Sequence, residues 1–139
     1  MRITSESDYA LRILTAMAMQ DGVTDARTLS EDTSVTQRFT LKILHKLVNG
    51  GFVESYKGAH GGYKLKFSPD NITLKMVIEL IDGPIASARC VDSGEVCSLN
   101  CDKTACAYHH IFDSISLELA AKLEKITISD VINGNYRLK

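Results

Sequence analysis

Four cysteines stand close together in the second half of the chain, and the rest of the sequence contains none. They are Cys90, Cys97, Cys101 and Cys106. Thiolates are soft ligands for iron–sulfur clusters, zinc and copper(I), and a cluster needs three or four ligands that converge from flexible backbone. The spacing also lacks the tight Cys-x-x-Cys pairs that are typical of zinc ribbons. The pattern therefore favours an iron–sulfur cluster, of the 2Fe–2S or the 4Fe–4S type.

Two other chemistries remain open for these thiols. Three or four cysteines together with a histidine also make a tetrahedral zinc site, and His109 follows Cys106 by one helical turn. Neighbouring thiols can instead report oxidants by pairing, without any metal. The cysteines thus predict a cofactor or redox site whose chemistry is one of these three.

Length and composition predict one small globular unit with an extension. Of the 139 residues, 45% are hydrophobic and 24% are charged, as in ordinary folded proteins. No apolar run is long enough to span a membrane, and the first residues lack the pattern of a secretion signal. We therefore expect a cytoplasmic protein with no membrane partner. In the reducing cytoplasm, clustered cysteines rarely form permanent disulfides.

The first half of the chain has the periodicity of a helix-turn-helix. Ser5 or Ser7 can cap a first helix, Thr24 or Asp25 can cap a short second one, and a longer helix follows over residues 36–48. The polar residues predicted to face outward from this third helix are Gln37, Arg38 and Lys42. Its apolar residues, predicted to face inward, are Phe39, Ile43, Leu44 and Leu47. This arrangement is typical of a DNA-binding helix pair.

Two short alternating segments after this helix predict a β-hairpin, the wing. They cover residues 52–57 and 63–66, and a glycine-rich loop joins them. Gly58, Gly61 and Gly62 permit positive backbone dihedral angles and a close approach to another backbone. An ordinary glycine-rich hairpin is the alternative, but the position of the two segments directly after the longer helix favours a wing.

Basic residues are concentrated around this helix and wing. Between Val35 and Lys66 there are six basic residues and one acidic residue, although the whole chain has a net charge of -1. Such a patch on a nearly neutral protein suits a face that meets phosphate, with a solvated helix face as the alternative. Lys57 and His60 flank the hairpin tip, where they are placed to reach a minor groove.

The second half contains an irregular segment between helices. Asn71 is predicted to cap a helix that ends near Gly83, and residues 85–104 show no periodicity. A long helix resumes at about Ala105, with an apolar seam of Ile111, Ile115, Leu119, Leu123 and Ile126. We expect this seam to pair with a second copy, giving a homodimer whose two-fold symmetry matches a palindromic DNA site. Packing against its own chain is the alternative.

These elements together predict a mainly α fold with a small β-wing (α+β). Residues 1–83 form a winged helix-turn-helix DNA-binding domain, and residues 84–105 form a cysteine-rich cofactor loop, hereafter the cysteine loop. Residues 106–139 form the dimerisation helix and a last short helix from Ile128 to Ile132.

Several short motifs occur in a specific order. They are Ser7-Asp8-Tyr9-Ala10-Leu11-Arg12 near the start, Lys57-Gly58-x-x-Gly61-Gly62-Tyr63-x-Leu65 in the wing, Ile72-Thr73-Leu74 before the next helix, and Cys90 with Cys106-x-x-His109. Over essentially the whole chain, this order resembles the bacterial winged-helix regulators that include the cysteine-cluster repressors IscR and NsrR and the cysteine-metabolism regulator CymR.

The resemblance implies a dimeric regulator that binds double-stranded DNA. The helix over residues 36–48 is expected to enter the major groove, and the wing the minor groove. The candidate DNA-contacting residues are Thr36, Gln37, Arg38, Lys42, Lys57 and His60. Arg38 is the preferred base contact, because a long cationic side chain there can reach a guanine edge, which contributes about 1–3 kcal/mol of discrimination.

The resemblance also implies three cysteine ligands and a fourth ligand of another type. The candidates are Cys90, Cys97, Cys101, Cys106, His109 and Asp8. Cys97 and Cys101 both lie near the middle position, where the family has one cysteine, and Cys97 is slightly favoured. Two alternatives remain open, namely ligation by all four cysteines and Cys101 as a spare thiol. The fourth ligand is either His109 or Asp8 of the other subunit.

The sequence therefore predicts a transcriptional repressor that senses iron–sulfur or iron status, nitric oxide or redox stress through its cluster. A cluster-free thiol-redox or zinc-binding regulator of the same fold is the alternative. A cysteine-dependent enzyme is not expected, since neither a catalytic triad nor a phosphate-binding loop accompanies the cysteines. A pure protein-interaction module without DNA remains a further alternative.

Overall fold

A computed structural model describes residues 2–92 and 95–137 of the chain. The fold is mainly α-helical with one small antiparallel hairpin, as predicted. Its helices and strands are α1 (Ser5–Ala18), α2 (Ala26–Thr33), α3 (Gln37–Asn49), β1 (Val53–Tyr56), β2 (Gly62–Leu65), α4 (Leu74–Asp82), α5 (Ala107–Glu124) and α6 (Ile128–Asn133). Short 3₁₀ turns lie at Pro69–Asn71, Arg89–Val91 and Lys103–Ala105.

Two helices begin at caps other than the predicted ones. Thr4 caps α1, because its Oγ1 accepts a hydrogen bond from the Ser7 backbone N–H at 3.3 Å. The predicted caps Ser5 and Ser7 both lie inside the helix. Likewise Thr73 caps α4, whereas Asn71 ends the preceding 3₁₀ turn. Several neighbouring polar residues have side chains that can cap a helix. Thr4 and Thr73 are the caps because their backbone is extended, as an N-cap requires.

Helix α3 turns a narrower apolar face to the core than predicted. Its inward residues are Thr40, Ile43, Leu44 and Leu47, all fully buried. The prediction that Phe39 faces inward is wrong, since its side chain is 43% exposed. Phe39 instead meets the Tyr9 ring edge-on, with 6.1 Å between ring centroids. The reason is the helical repeat: Thr40, spaced by three and four from Ile43 and Leu44, occupies the inward position that Phe39 was expected to fill.

The wing is attached to the segment before α2. Strands β1 and β2 pair in the register Val53↔Leu65 to Tyr56↔Gly62. The backbone N–H and carbonyl of Tyr63 also pair with those of Thr24, at N···O distances of 2.8 and 2.9 Å. Because Thr24 directly precedes Asp25, the N-cap of α2, the wing and the helix-turn-helix are held as one unit.

Glycine permits this close approach. Gly62 has a φ of +152°, and an added Cβ would lie 2.5 Å from the Thr24 carbonyl oxygen. Gly58 also has a positive φ, of +103°, but faces open space. The prediction of positive dihedral angles is thus confirmed for Gly58 and Gly62 but not for Gly61, and the closely approached backbone belongs to this same chain.

The end of the chain packs back onto its beginning. Helix α6 lies against α1, and Ile128 is fully buried. The Ile128 N–H donates to the Ile72 carbonyl, and the Leu74 N–H donates to the Ile126 carbonyl, each at 2.9 Å. The last helix lies where it was predicted, whereas the three-part division at residues 83 and 105 stays a prediction.

We predict that Gly62→Ala lowers the free energy of unfolding by about 1–3 kcal/mol, since the new methyl group must displace the Thr24 backbone. Chemical denaturation followed by circular dichroism measures this loss. Gly58→Ala is the matched control, because it adds a methyl group at positive φ in open space and tests backbone strain alone. An equal loss in both variants would mean that the close approach to Thr24 contributes nothing.

Candidate nucleic-acid interface and cysteine site

All six side chains predicted to contact DNA lie on the protein surface. Thr36 caps α3, and its Oγ1 accepts a hydrogen bond from the Phe39 N–H at 3.3 Å. Gln37 and Arg38 occupy the first turn of the helix and are exposed. Lys57 and His60 are exposed at the end of β1 and in the hairpin loop. The first turn of α3 can therefore insert into a groove without moving other parts of the described chain.

Lys42 is exposed but paired within the chain. Its Nζ lies 2.5 Å from Oε1 of Glu6, and Nζ of Lys46 lies 2.5 Å from Oε2 of the same carboxylate. Hydrogen bonds from Lys42 and then from Lys46 hold the pKa of Glu6 below its ordinary value of 4.5. Lys42 can contact DNA only by sharing or leaving this carboxylate. Sequence reasoning missed Glu6, because it is 36 positions from Lys42 and no local pattern links them.

The cysteine loop is attached to the first half of α5. The Ser87 N–H donates to Oγ of Ser116 at 2.8 Å, and the Ser87 hydroxyl donates to the Phe112 carbonyl at 2.8 Å. Cys90 follows in the Arg89–Val91 turn, which packs against α5. Cys106 is the residue immediately before α5. Two of the four cysteines are therefore held beside the same helix.

Cys97 and Cys101 are in direct contact. The Cys101 thiol donates to the Cys97 sulfur, with the two sulfurs 3.8 Å apart. The backbone N–H of Leu99 and this thiol both donate to Cys97, and these hydrogen bonds lower the pKa of Cys97. The same contact raises the pKa of Cys101. The two middle cysteines thus form a pair of unequal thiols.

The four thiols lie in the same part of the fold but do not form a complete set of metal ligands. Cys90 and Cys97 both line a cavity of about 280 Å³, together with Arg89, Glu95, Val96 and Ser98. Cys101 contacts Cys97 and lies near enough to Cys106 for their charges to interact. Within residues 2–92 and 95–137, no three His, Cys, Asp or Glu side chains are arranged to hold a metal ion.

His109 is the candidate fourth ligand that lies near this loop. It shares a helix face with Phe112 and Ser116, the residues that bind Ser87, because the spacing is three and four residues. Its Nδ1 atom is buried and has no hydrogen-bond partner in the described part of the chain. Buried polar atoms are nearly always paired, so Nδ1 is available to a ligand. The adjacent His110 is occupied, since its Nε2 lies 2.6 Å from the Thr104 carbonyl oxygen.

Asp8, the other candidate, lies on α1 and pairs with Arg12 at 2.7 Å. Both side chains are about half exposed, with relative accessibilities of 49% and 48%. The structure does not bring Asp8 into a metal-binding group with the cysteines of its own chain. The prediction for Asp8 concerns the cysteines of a second subunit, and it stays a prediction.

The family model Rrf2, described as an iron-dependent transcriptional regulator, matches residues 3–134. The chain belongs to the Rrf2 family. This membership confirms the predicted resemblance and identifies the chain as a DNA-binding transcriptional regulator rather than an enzyme. No helix in the described ranges is long and apolar enough to cross a membrane.

Curated relatives of this Rrf2 protein include three named regulators. NsrR of Bacillus subtilis is 24% identical, over 96% of this chain and 92% of NsrR. IscR of Aliivibrio salmonicida is 27% identical, over 97% of this chain and 79% of IscR. CymR of Bacillus subtilis is 29% identical, over 68% of this chain and 70% of CymR.

Solved structures share the fold. That of CymR, the global cysteine regulator of B. subtilis, superposes with a TM-score of 0.78 at 24% identity, covering 96% of this chain and 97% of CymR. That of T. potens IscR superposes with a TM-score of 0.76 at 18% identity, covering 97% of this chain and 88% of IscR. The predicted winged-helix fold is confirmed.

We predict that Glu6→Gln lowers the free energy of unfolding at neutral pH by about 0.2–1 kcal/mol for each lost ion pair. Because the pKa of folded Glu6 lies below 4.5, its contribution is present above that pH and disappears as the pH falls through the lowered value. The stabilities of the wild type and Glu6→Gln should therefore converge in acid. Denaturation curves across this pH range measure the convergence.

Glu31→Gln is the matched control, because among the described residues Glu31 pairs with Arg27 alone, and the two side chains are largely exposed, at 67% and 80%. A smaller effect is expected there. A Glu6→Gln difference that stays constant down to the most acid pH would rule out the ion pairs as its cause.

Proposed function

We propose that this Rrf2 regulator is a homodimeric repressor whose affinity for a palindromic operator is controlled by an iron–sulfur cluster in the cysteine loop. The observation that carries the proposal is the proximity of the thiols, since Cys90 and Cys97 line one cavity, Cys101 contacts Cys97, and Cys106 directly precedes α5. On α5, the buried Nδ1 of His109 has no hydrogen-bond partner among the described residues. The description of the family as iron-dependent supports the choice of iron.

The donor set fits such a cluster. Thiolates are its ordinary protein ligands, and a single histidine completes a site with three cysteines without a second metal-binding motif. Cys90 and Cys106 would bind from the two segments fixed against α5, with Cys97 or Cys101 closing the site from the exposed part of the loop. When bound, the cluster supplies a group that reacts with oxidants or nitric oxide.

Helix α5 supports the dimer. Several of its large apolar side chains are exposed, namely Tyr108 (72%), Ile111 (52%), Ile115 (49%) and Leu117 (63%). Ile111 and Ile115 belong to the predicted seam, while Leu119 and Leu123 are already half-buried within the chain. Tyr108, Ile111 and Ile115 are spaced by three and four residues and share one helix face, whereas Leu117 lies on another; such an exposed apolar stripe supports a protein-binding surface. A second copy is the partner that a two-fold operator requires.

A chain of polar contacts joins the cysteine loop to α3. Asp82, at the end of α4, accepts hydrogen bonds from the Thr4 N–H at 3.1 Å and from the Thr4 hydroxyl at 2.5 Å. Thr4 caps α1, and Glu6 in the first turn of α1 holds Lys42 and Lys46 of α3. The cysteine loop begins directly after α4. These contacts are the route by which we propose that a change in the cysteine loop reaches the basic face of α3.

Anaerobic purification tests the cluster. We expect a brown protein with charge-transfer absorption and with stoichiometric iron and sulfide, both lost in Cys90→Ala and Cys106→Ala. The separate variants Cys97→Ser and Cys101→Ser identify the middle ligand, because only the ligating one loses iron. A colourless protein with stoichiometric zinc would replace the cluster with a zinc site of the same cysteines. A colourless, metal-free protein would leave the thiol-redox alternative.

DNA retardation tests the interface. The probe is a set of duplexes that the wild-type protein selects from a random-sequence library. Arg38→Ala should cost about 1–3 kcal/mol and relax preference at one base pair, whereas Lys57→Ala should weaken all sequences alike and flatten the salt dependence. The matched control Lys122→Ala removes a charge from α5, outside the basic segment, and should bind normally.

The polar contacts between α4, α1 and α3 are tested by a further variant in the same DNA retardation assay. Asp82→Asn weakens the contact with Thr4, so it should reduce the difference in DNA affinity between cluster-loaded and cluster-free protein while leaving iron content unchanged. An undiminished difference would show that the cysteine loop acts on DNA binding by another route, such as the dimer interface.

A further inference from the structure

We propose that Cys97 and Cys101 form a reversible disulfide within the chain, which makes the pair an oxidant-modifiable site separate from Cys90 and Cys106. The pair explains why four cysteines stand in a segment where three are enough to hold a cluster. The disulfide itself needs only these two residues and does not depend on the proposed cluster.

A tight turn brings the two thiols together. The Asn100 N–H donates to the Cys97 carbonyl at 2.9 Å, and Asn100 has a positive φ of 49°. This geometry reverses the chain just before Cys101 and leaves the two sulfurs 3.8 Å apart. A disulfide bond is about 2.0 Å long, so the sulfurs must approach by a little less than 2 Å. Side-chain rotation and a small shift of the turn provide such a movement.

The turn has little packing to oppose that shift. Val96 and Leu99 are 86% and 81% exposed, although both are large apolar side chains. Cys101 is exposed and Cys97 is partly exposed. Small oxidants in solution therefore reach both sulfurs. Cys90 and Cys106 are partly exposed like Cys97, but each lies in backbone that is held beside α5.

The chemistry needs a two-electron oxidant, for which a peroxide is sufficient. The Cys97 sulfur attacks one peroxide oxygen, the O–O bond breaks, and the sulfur becomes a sulfenic acid while water leaves. The Cys101 sulfur then attacks the sulfenic sulfur, forming the S–S bond, and its thiol proton leaves with the sulfenic oxygen as a second water. Two thiols are oxidised to one disulfide, and one peroxide is reduced to water. A dithiol reductant reverses the change.

The disulfide has a consequence for the cluster, which rests on the proposed function. A sulfur in the Cys97–Cys101 bond cannot ligate metal as a thiolate, so oxidation removes the middle ligand. Oxidised wild-type protein should therefore not accept a cluster until a dithiol reductant restores both thiols.

Peptide mapping tests the pair directly. Reduced full-length protein, freed of metal by a chelator, is treated anaerobically with one equivalent of hydrogen peroxide, alkylated, and digested after Arg and Lys and after Glu. Cleavage after Arg89, Glu95 and Lys103 places Cys90, the Cys97–Cys101 pair and Cys106 in three separate peptides. We expect the peptide over residues 96–103 to escape alkylation and to weigh two hydrogens less than its dithiol form.

Three variants complete the test. Cys101→Ser should abolish the unalkylated peptide, while Cys90→Ala and Cys106→Ala should keep it. Disulfides that join two of the three peptides, or that join two chains, would overturn the proposal, as would sulfinic acid on Cys97 with Cys101 still free. The assay uses metal-free protein, so its result does not depend on the cluster. A wild type that is colourless after anaerobic purification would contradict the proposed cluster but not the disulfide. A brown wild type that forms no Cys97–Cys101 disulfide would contradict the disulfide but not the cluster.

Discussion

One face of helix α1 is buried in the core, because α2, α3, α4, α6 and strand β2 all pack against it. Ile13 and Leu14 are fully buried there, and each such side chain contributes about 1.5–3 kcal/mol to stability. The polar first turn, with Thr4 as its cap and Glu6 within it, belongs to the same helix. The position of α1 places Thr4 beside Asp82 of α4 and Glu6 beside Lys42 of α3. The burial of α1 thus determines both polar contacts, the second of which lies at the proposed DNA-binding surface.

An acidic side chain lies within the basic patch that we propose to meet DNA. Glu6 neutralises part of the charge of Lys42 and Lys46, and in the proposed interface phosphate must compete with this carboxylate for both. Non-specific binding depends on the number of phosphates that cations neutralise, so we expect the pairing to lower that affinity more than it lowers the proposed base-specific contact from Arg38. A nearly neutral regulator can in this way favour its operator over bulk DNA.

The cysteine loop combines fixed and free parts. Its beginning is held through Ser87 and its end through Cys106 against the same helix, while the turn between Cys97 and Cys101 extends into solvent. Ligands from fixed backbone give a metal site its position, and a ligand from free backbone allows the site to open and close. The same freedom permits the proposed reaction between the two middle thiols, which would place the proposed metal binding and this oxidation in competition within one segment.

Local spacing in the sequence was enough to predict the helix-turn-helix, the glycine-dependent wing and the long α5, because helical and strand periodicity and glycine at a turn are properties of neighbouring residues. That the cysteines form one cofactor site stays a prediction, since no three metal-binding side chains are grouped in the described residues. Local spacing did not predict the Glu6–Lys42 pair, the Thr4–Asp82 contact or the exposure of Phe39. Those pairs join residues 36 and 78 positions apart, and the orientation of α3 on α1 decides how much of Phe39 is covered. Only packing in three dimensions brings such residues together.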